Sequence, residues 1–187
     1  MKIRIPKKAK KVFSGVIFDV HHWKQKMFDG TYETFEMLER RPTVDIIAVA
    51  GDKIIVLQQK QPGRALYPSL PGGGIDKKET PREAAARELL EETGYTAEKF
   101  KLFGEYFGNS KMYFHEYQYI ARGCKKIAKQ KLDSGEKIKA ILVGFDTFLQ
   151  LCRNPLFAVP VYLKFQMYEA LLDPKKKEAL RKRIFGL

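Results

Sequence analysis

Glu88, Glu91 and Glu92 fall at positions i, i+3 and i+4, so on a helix their carboxylates share one face within reach of a common ion. Like charges this close repel, and Arg87 interrupts them only in part, so either a cation sits among them or the face is simply solvated. Hard oxygen ligands without histidine or thiolate favour Mg²⁺, with Mn²⁺ as a substitute. Mg²⁺ usually completes its octahedron with water and substrate phosphates. On the metal reading, a phosphate-bearing substrate follows.

The element that must position these carboxylates is a helix from Pro81 to Thr93. Thr80 and Glu83 form a capping box around Pro81 at the first helical position, and Gly94 closes the far end. Ala85, Ala86 and Leu89 are expected on the opposite, inward side. Gln59 to Gly74 contains Pro62, Gly63, Pro68, Pro71 and three consecutive glycines, which predicts a loop without regular structure, closely approached by another group. Before it, Val44 to Ala50 and Lys53 to Gln58 are β-branched runs joined by Gly51-Asp52, the pattern of a tight hairpin. Val12 to Val20 has strand character, and Gly15 and Asp29-Gly30 mark turns of an N-terminal antiparallel meander. Phe103 to Phe107, Met112 to Arg122, and Ile138 to Phe145 after the Asp133-Ser134-Gly135 turn are expected strands. Two helices are expected to finish the chain, Thr147 to Cys152 and Val159 to Leu172, the latter stopped by Asp173-Pro174.

From Gly73 to Tyr95 the chain reads GGIDKKETPREAAARELLEETGY. This resembles the Nudix box. Gly73, Glu79, Arg87, Glu88, Leu89, Glu91, Glu92 and Gly94 occupy its fixed positions, and only Tyr95 departs, being aromatic where an aliphatic residue is usual. The resemblance implies an α+β Nudix fold: a mixed β-sheet sandwiched between α-helices, preceded here by an N-terminal antiparallel β arm. It implies a magnesium-dependent hydrolase, with Glu88, Glu91 and Glu92 as metal ligands and Gly73 adding a carbonyl. Gly72 then lies against the substrate, and Arg87 and Glu79 pair to fix the loop, so that Arg87 is either a structural salt bridge or a direct contact to the substrate.

In weaker form the resemblance extends over most of the chain to the ADP-ribose pyrophosphatase branch. It implies a nucleoside diphosphate sugar as substrate and a homodimer made through an exchanged arm, the alternative being an arm folded back on its own body. The division expected is 1–41 as basic segment and β arm, 42–173 as Nudix hydrolase domain, and 174–187 as basic tail. Arg41, at the end of the arm, is a substrate-binding candidate. The branch's usual Arg near Gln61, Glu near Ser69, and Pro-Gly loop at Phe107-Gly108 are all altered, which leaves the sugar open; Arg64 is the candidate replacement for the guanidinium. Phe107, within a cluster of Tyr106, Tyr113 and Phe114, either stacks on a base or belongs to the core. Glu136 is the candidate general base, on a turn able to move over the cleft, with Asp133 in reserve. His21, His22 and His115 are scattered and are expected to be surface or core residues.

The whole chain, 187 residues at +13, has a composition that suits one globular domain. No apolar run reaches the roughly 20 residues of a membrane span, and nothing resembles a secretory leader, so a cytoplasmic protein is expected. Cys124 and Cys152 lack CxxC spacing, which excludes a disulfide framework and a zinc cluster. Residues 1–11 carry +6 and residues 173–187 carry +4, leaving the body nearly balanced. Basic ends of this kind are commonly solvated, which leaves nucleic acid a secondary partner. Two rival functions remain open: hydrolysis of capped or 5′-triphosphorylated RNA, for which the basic ends are the sole argument, and a nucleotide sensor without catalysis, against which the intact carboxylates speak.

Overall fold

The computed structural model describes residues 4–108 and 111–187; Lys2, part of the basic N-terminal segment, lies outside them. The arm comes first. Strands β1 (Lys10–Ser14), β2 (Phe18–Lys26) and β3 (Tyr32–Arg40) form an antiparallel meander. The expected single run from Val12 to Val20 is instead two strands that bend at Gly15, where a side chain would meet Phe18 O at 2.9 Å. Strands β4 (Thr43–Ala50) and β5 (Lys53–Lys60) make the expected hairpin, with Gly51 at φ +61° in its turn.

The stretch from Gln59 to Gly74, expected to lack regular structure, contains two short strands, β6 (Tyr67–Ser69) on β5 and β7 (Gly72–Gly74) on β4. Glycine is what allows the second: a Cβ on Gly72 would lie 2.2 Å from Val44 O. Helix α1 (Pro81–Thr93) follows, with the capping box at Thr80 and Gly94 left-handed at φ +75°. Ala84, Ala85 and Leu89 are its buried apolar residues. Ala86, expected inward, is exposed, because the helix turns one residue further round than the spacing of its apolar residues indicated.

After β8 (Tyr95–Thr96) and β9 (Lys99–Phe107), the expected strand Met112 to Arg122 is divided. Its first part, β10 (Met112–Tyr113), runs parallel to β3 of the arm, and β11 (His115–Arg122) runs parallel to β4 and antiparallel to β9. One residue, Phe114, lets the strand pass from one sheet to the other. Strands β12 (Lys125–Lys126) and β13 (Lys137–Val143) complete the sheets, the central one running β13-β5-β4-β11-β9. Helix α2 (Phe145–Gln150) begins two residues before its expected start and ends in a 3₁₀ turn at Leu151–Arg153.

Helices α3 (Val161–Leu172) and α4 (Pro174–Phe185) close the chain. The second was not expected. Asp173-Pro174, which stops α3, also starts α4: Asp173 caps it, accepting from Lys175 N at 2.7 Å, and Pro174 needs no N–H donor in the first turn. Leu180 and Ile184, one turn apart, are buried, and Arg122 donates to Ile184 O at 2.8 Å. Basic residues 174–187, expected as a solvated tail, therefore hold a helix docked on the core through one apolar face.

Even-numbered residues of β4 (Val44, Ile46, Ala48) pack on α1, whereas Ile47 and Val49 join Phe148, Leu163, Met167 and Ile184 beneath α2, α3 and α4. The sheet thus lies between helices, and where β4 and β5 part, β7 pairs with β4 and β6 with β5.

Candidate functional site

Arg87 organises the loop-helix segment. Its guanidinium grips Glu79 with both oxygens, at 2.9 and 3.0 Å, and reaches Gly74 O at 2.9 Å, Glu88 at 2.8 Å and Glu91 at 3.1 Å. These contacts raise its pKa, with the Glu79 hydrogen bonds the largest cause. The expected Arg87–Glu79 pair is therefore present, and it pins the Gly-rich loop to the helix.

Gly73 faces Glu88 so closely that a Cβ would lie 2.3 Å from the carboxylate. Glu92 accepts from Gly72 N at 2.8 Å and is 5% exposed. Burial pushes the Glu92 carboxyl up to about 8, against the Gly72 hydrogen bond and helped by the charges of Glu88, Glu136 and Glu91. Glu88 is raised too, first by burial, with Arg87 opposing. Like charges beside a buried carboxyl favour its protonated form, and a bound cation would take the place of that proton. Glu88, Glu91 and Glu92 present oxygen donors along one side of α1, whereas the described side chains whose ligand atoms already lie within 4.8 Å of one another are Asp19, His21 and Glu39 of the arm.

Four further candidates are placed as follows relative to this group. Glu136 lies on its turn, where its carboxylate accepts from Asp133 N at 3.4 Å, and its charge bears on both Glu88 and Glu92. Beside it, a groove of about 270 Å³ runs along Gln61, Pro62 and Gly63. Arg64 stacks over the Tyr67 ring at 4.1 Å and donates to its hydroxyl at 3.3 Å. Arg41 lies against Gly74, where a Cβ would meet its guanidinium at 2.4 Å, and reaches Asp76 at 3.4 Å. Phe107 is placed differently: it stacks on His115 at 4.3 Å, and its strand is separated from β7 by β11 and β4.

Arg41 also borders a cleft of about 820 Å³ between arm and body, lined by Lys11, Arg40, Lys77, Tyr113 and His115 among others. Each histidine pairs with a carboxylate, His21 with Glu39, His22 with Glu36 and His115 with Glu105. Sequence reasoning missed Tyr67, the platform under Arg64, and a set of polar side chains around Asp45. The available signal for the latter was an acid at the third position of the apolar run VDIIAVA.

With this geometry in view, the relatives can be placed. The NUDIX domain family model matches residues 39–163. The chain is 30% identical over 152 residues to the methanol dehydrogenase activator of Bacillus methanolicus, covering 79% of this chain and 82% of that protein. It is 28% identical over 148 residues to the ADP-ribose pyrophosphatase of Bacillus subtilis (strain 168), covering 76% and 80%. The crystal structure of an ADP compounds hydrolase superposes with a TM-score of 0.72 at 19% identity, covering 90% of this chain and 94% of that one. The chain belongs to the Nudix family. It is a hydrolase of that family, with the α+β Nudix fold. No helix among the described residues is long and apolar enough to cross a membrane.

Proposed function

We propose that the protein is a Mg²⁺-dependent pyrophosphohydrolase that cleaves ADP-ribose or a related nucleoside diphosphate sugar to a nucleoside monophosphate and a sugar phosphate. The observation that carries this reading is the carboxylate face of Glu88, Glu91 and buried Glu92, set against a glycine loop that Arg87 and Glu79 lock in place. Glu88, Glu91, Glu92 and the Gly73 carbonyl would hold Mg²⁺ or Mn²⁺, and a divalent ion bound there neutralises charge on the phosphoryl oxygens.

Glu136 takes a proton from the attacking water, whose oxygen bonds to phosphorus as the bridging P–O bond breaks. Its freedom to act comes from the Ser134-Gly135 turn, and Asp133 N holds it at rest. Arg41 and Arg64 bind the anionic substrate from opposite sides of the loop, and Gly72 lets it approach the backbone. Phe107 contributes through its stack with His115, which lines the basic cleft beside Arg41. The basic and aromatic lining of that cleft suits the nucleotide end of the substrate.

The working unit on this reading is a homodimer made through the arm, supported by a β1 strand exposed along its whole length. A cytoplasmic location accords with two buried, unpaired thiols, Cys124 and Cys152.

The deciding experiment incubates the protein with Mg²⁺ and a panel of ADP-ribose, nucleotide sugars, dinucleoside polyphosphates and capped RNA, alongside Glu92→Gln. Release of AMP and ribose 5-phosphate, lost in the variant, is the expected result. Turnover confined to capped RNA discards the nucleotide-sugar assignment. Binding without any cleavage replaces the enzyme with a sensor.

A further inference from the structure

Asp45 interrupts an apolar strand, and the face it projects from is the one covered by α3, where Glu116, Gln118 and Tyr106 join it. Gln118 is the direct neighbour of Asp45 across the β4–β11 pair, and Tyr106 is the neighbour of Glu116 across β9–β11. Asp45 and Glu116 share a carboxyl-carboxyl hydrogen bond; burial foremost, then Glu116, drives the Asp45 carboxyl far above the usual range. The Tyr106 hydroxyl reaches Gln118 Oε1 at 3.4 Å by lying back across Gly104, where a Cβ would come within 2.5 Å of it.

Gln118 is fully buried, and its Nε2 is the one buried side-chain polar atom among the described residues without a hydrogen-bond partner. Native proteins leave few such donors unpaired, because burial forfeits water and nothing replaces it. Asp45 and Glu116 beside it are only partly buried, and the half-exposed Tyr162 ring of α3 tilts against Tyr106 at 5.5 Å, so the polar group reaches the surface at its edge. It adjoins the glycine loop: Asp45 pairs with Gly72, which donates to Glu92.

We propose that Asp45, Glu116, Gln118 and the Tyr106–Tyr162 pair form a subsite for the vicinal hydroxyl groups of a sugar, an inference that rests on the pyrophosphohydrolase reading above. Sugar hydroxyls both donate and accept, which matches two carboxyl oxygens and a free amide N–H. The C–H face of a pyranose or furanose packs on an aromatic ring. A phosphate is disfavoured by the same carboxyl groups, so the subsite takes the neutral end of the substrate while the diphosphate lies toward Arg41 and Arg64.

The test compares hydrolysis of a nucleoside diphosphate sugar with that of a nucleoside diphosphate ethyl ester, which lacks sugar hydroxyls at that end. Wild type, Gln118→Leu, Glu116→Gln and the surface variant Tyr162→Ala are measured. In wild type the sugar is expected to have the lower KM. Each variant is expected to raise KM for the sugar roughly tenfold with kcat little changed, and to leave the ethyl ester unaffected. A 2′,3′-dideoxynucleoside form of each substrate identifies the occupant: if removing those hydroxyls abolishes the effect of the variants, the subsite holds the nucleoside ribose. Equal KM for sugar and ester, together with no change on removing the ribose hydroxyls, in wild type and in folded Tyr162→Ala with hydrolysis intact, overturns the subsite and spares the pyrophosphohydrolase. If nothing is hydrolysed, calorimetry of the same ligands in Mg²⁺ decides: a tenfold weaker Kd for the sugar alone in the variants upholds the subsite, and an unchanged Kd overturns it.

Discussion

The loop-helix segment around Arg87 and the N-terminal arm are built on opposite terms. In the first, Arg87 ties Gly74, Glu79, Glu88 and Glu91 together within a span of 18 residues, and Glu92 takes the Gly72 N–H. In the second, β1 is exposed throughout, and Val12, Phe13, Val16, Ile17 and Phe28 leave more than half of their surface in water. The segment closes on itself through its own side chains. The arm leaves apolar residues that its own chain does not cover. Local geometry is thus over-determined in the segment and under-determined in the arm.

The largest effect should come from breaking the segment. Glu88→Gln removes one proposed metal-binding carboxylate while keeping its shape and is expected to lower kcat by about a thousandfold or more with the fold retained, since on that reading charge stabilisation at phosphorus depends on it. A circular-dichroism melt beside the steady-state assay separates lost chemistry from lost structure. Near-normal turnover would remove the carboxylates from the reaction.

The second effect follows from Glu92. Its folded-state value of about 8 lies above the ordinary 4.5, so between those pH values the folded protein keeps a proton that the unfolded chain has released. Without metal, stability should therefore fall as pH rises across that window, by up to about 5 kcal/mol. Glu92→Gln should flatten the profile, and Mg²⁺ should restore stability at the alkaline end by taking the place of the proton. Melting in EDTA at pH 5.5 and 8.5, with and without the substitution, checks this; parallel profiles for the two proteins would show that burial does not strain Glu92.

Arg87→Lys should come third. A lysine supplies one point charge in place of the two-pronged grip on Glu79, and is expected to cost about 1–3 kcal/mol of stability and roughly a tenfold to hundredfold loss in kcat/KM. Activity unchanged in a folded protein would mean that the loop holds its shape without the guanidinium.

The same contrast governs what was legible in the sequence. The capping box at Thr80, the left-handed Gly94 and the carboxylate face of α1 depend on neighbours a few residues away, so spacing alone revealed them. Ala86 misled because an alanine fits either face of a helix, and burial is decided by the sheet beneath. The β6 and β7 strands were hidden because proline and glycine mark turns in isolation, whereas here they let the backbone pass close to β4. Helix α4 was hidden by its charge: Leu180 and Ile184 are two apolar residues in a basic run, and their partners, Phe103 and Arg122, come from strands more than 50 residues earlier. Gln118 could not be singled out at all, since an unpaired amide is a property of its surroundings.

The smallest effect on the body of the protein, and the sharpest test of the contrast, belongs to the arm. Phe13 is 60% exposed on β1, so Phe13→Asp removes almost nothing that its own chain buries and should change the stability of an isolated chain by no more than about 0.5 kcal/mol. If that surface is covered by a second copy, the same substitution places a carboxylate inside an apolar contact and should drive the protein from dimer to monomer in sedimentation at micromolar concentration. The box carboxylates lie on α1, so a monomer that still melts normally in its body but binds substrate more weakly would show that the arm completes the cleft beside Arg41 from the other copy. A variant with wild-type sedimentation and activity would show instead that the arm is folded back on its own chain, and that its exposed residues take no part in assembly.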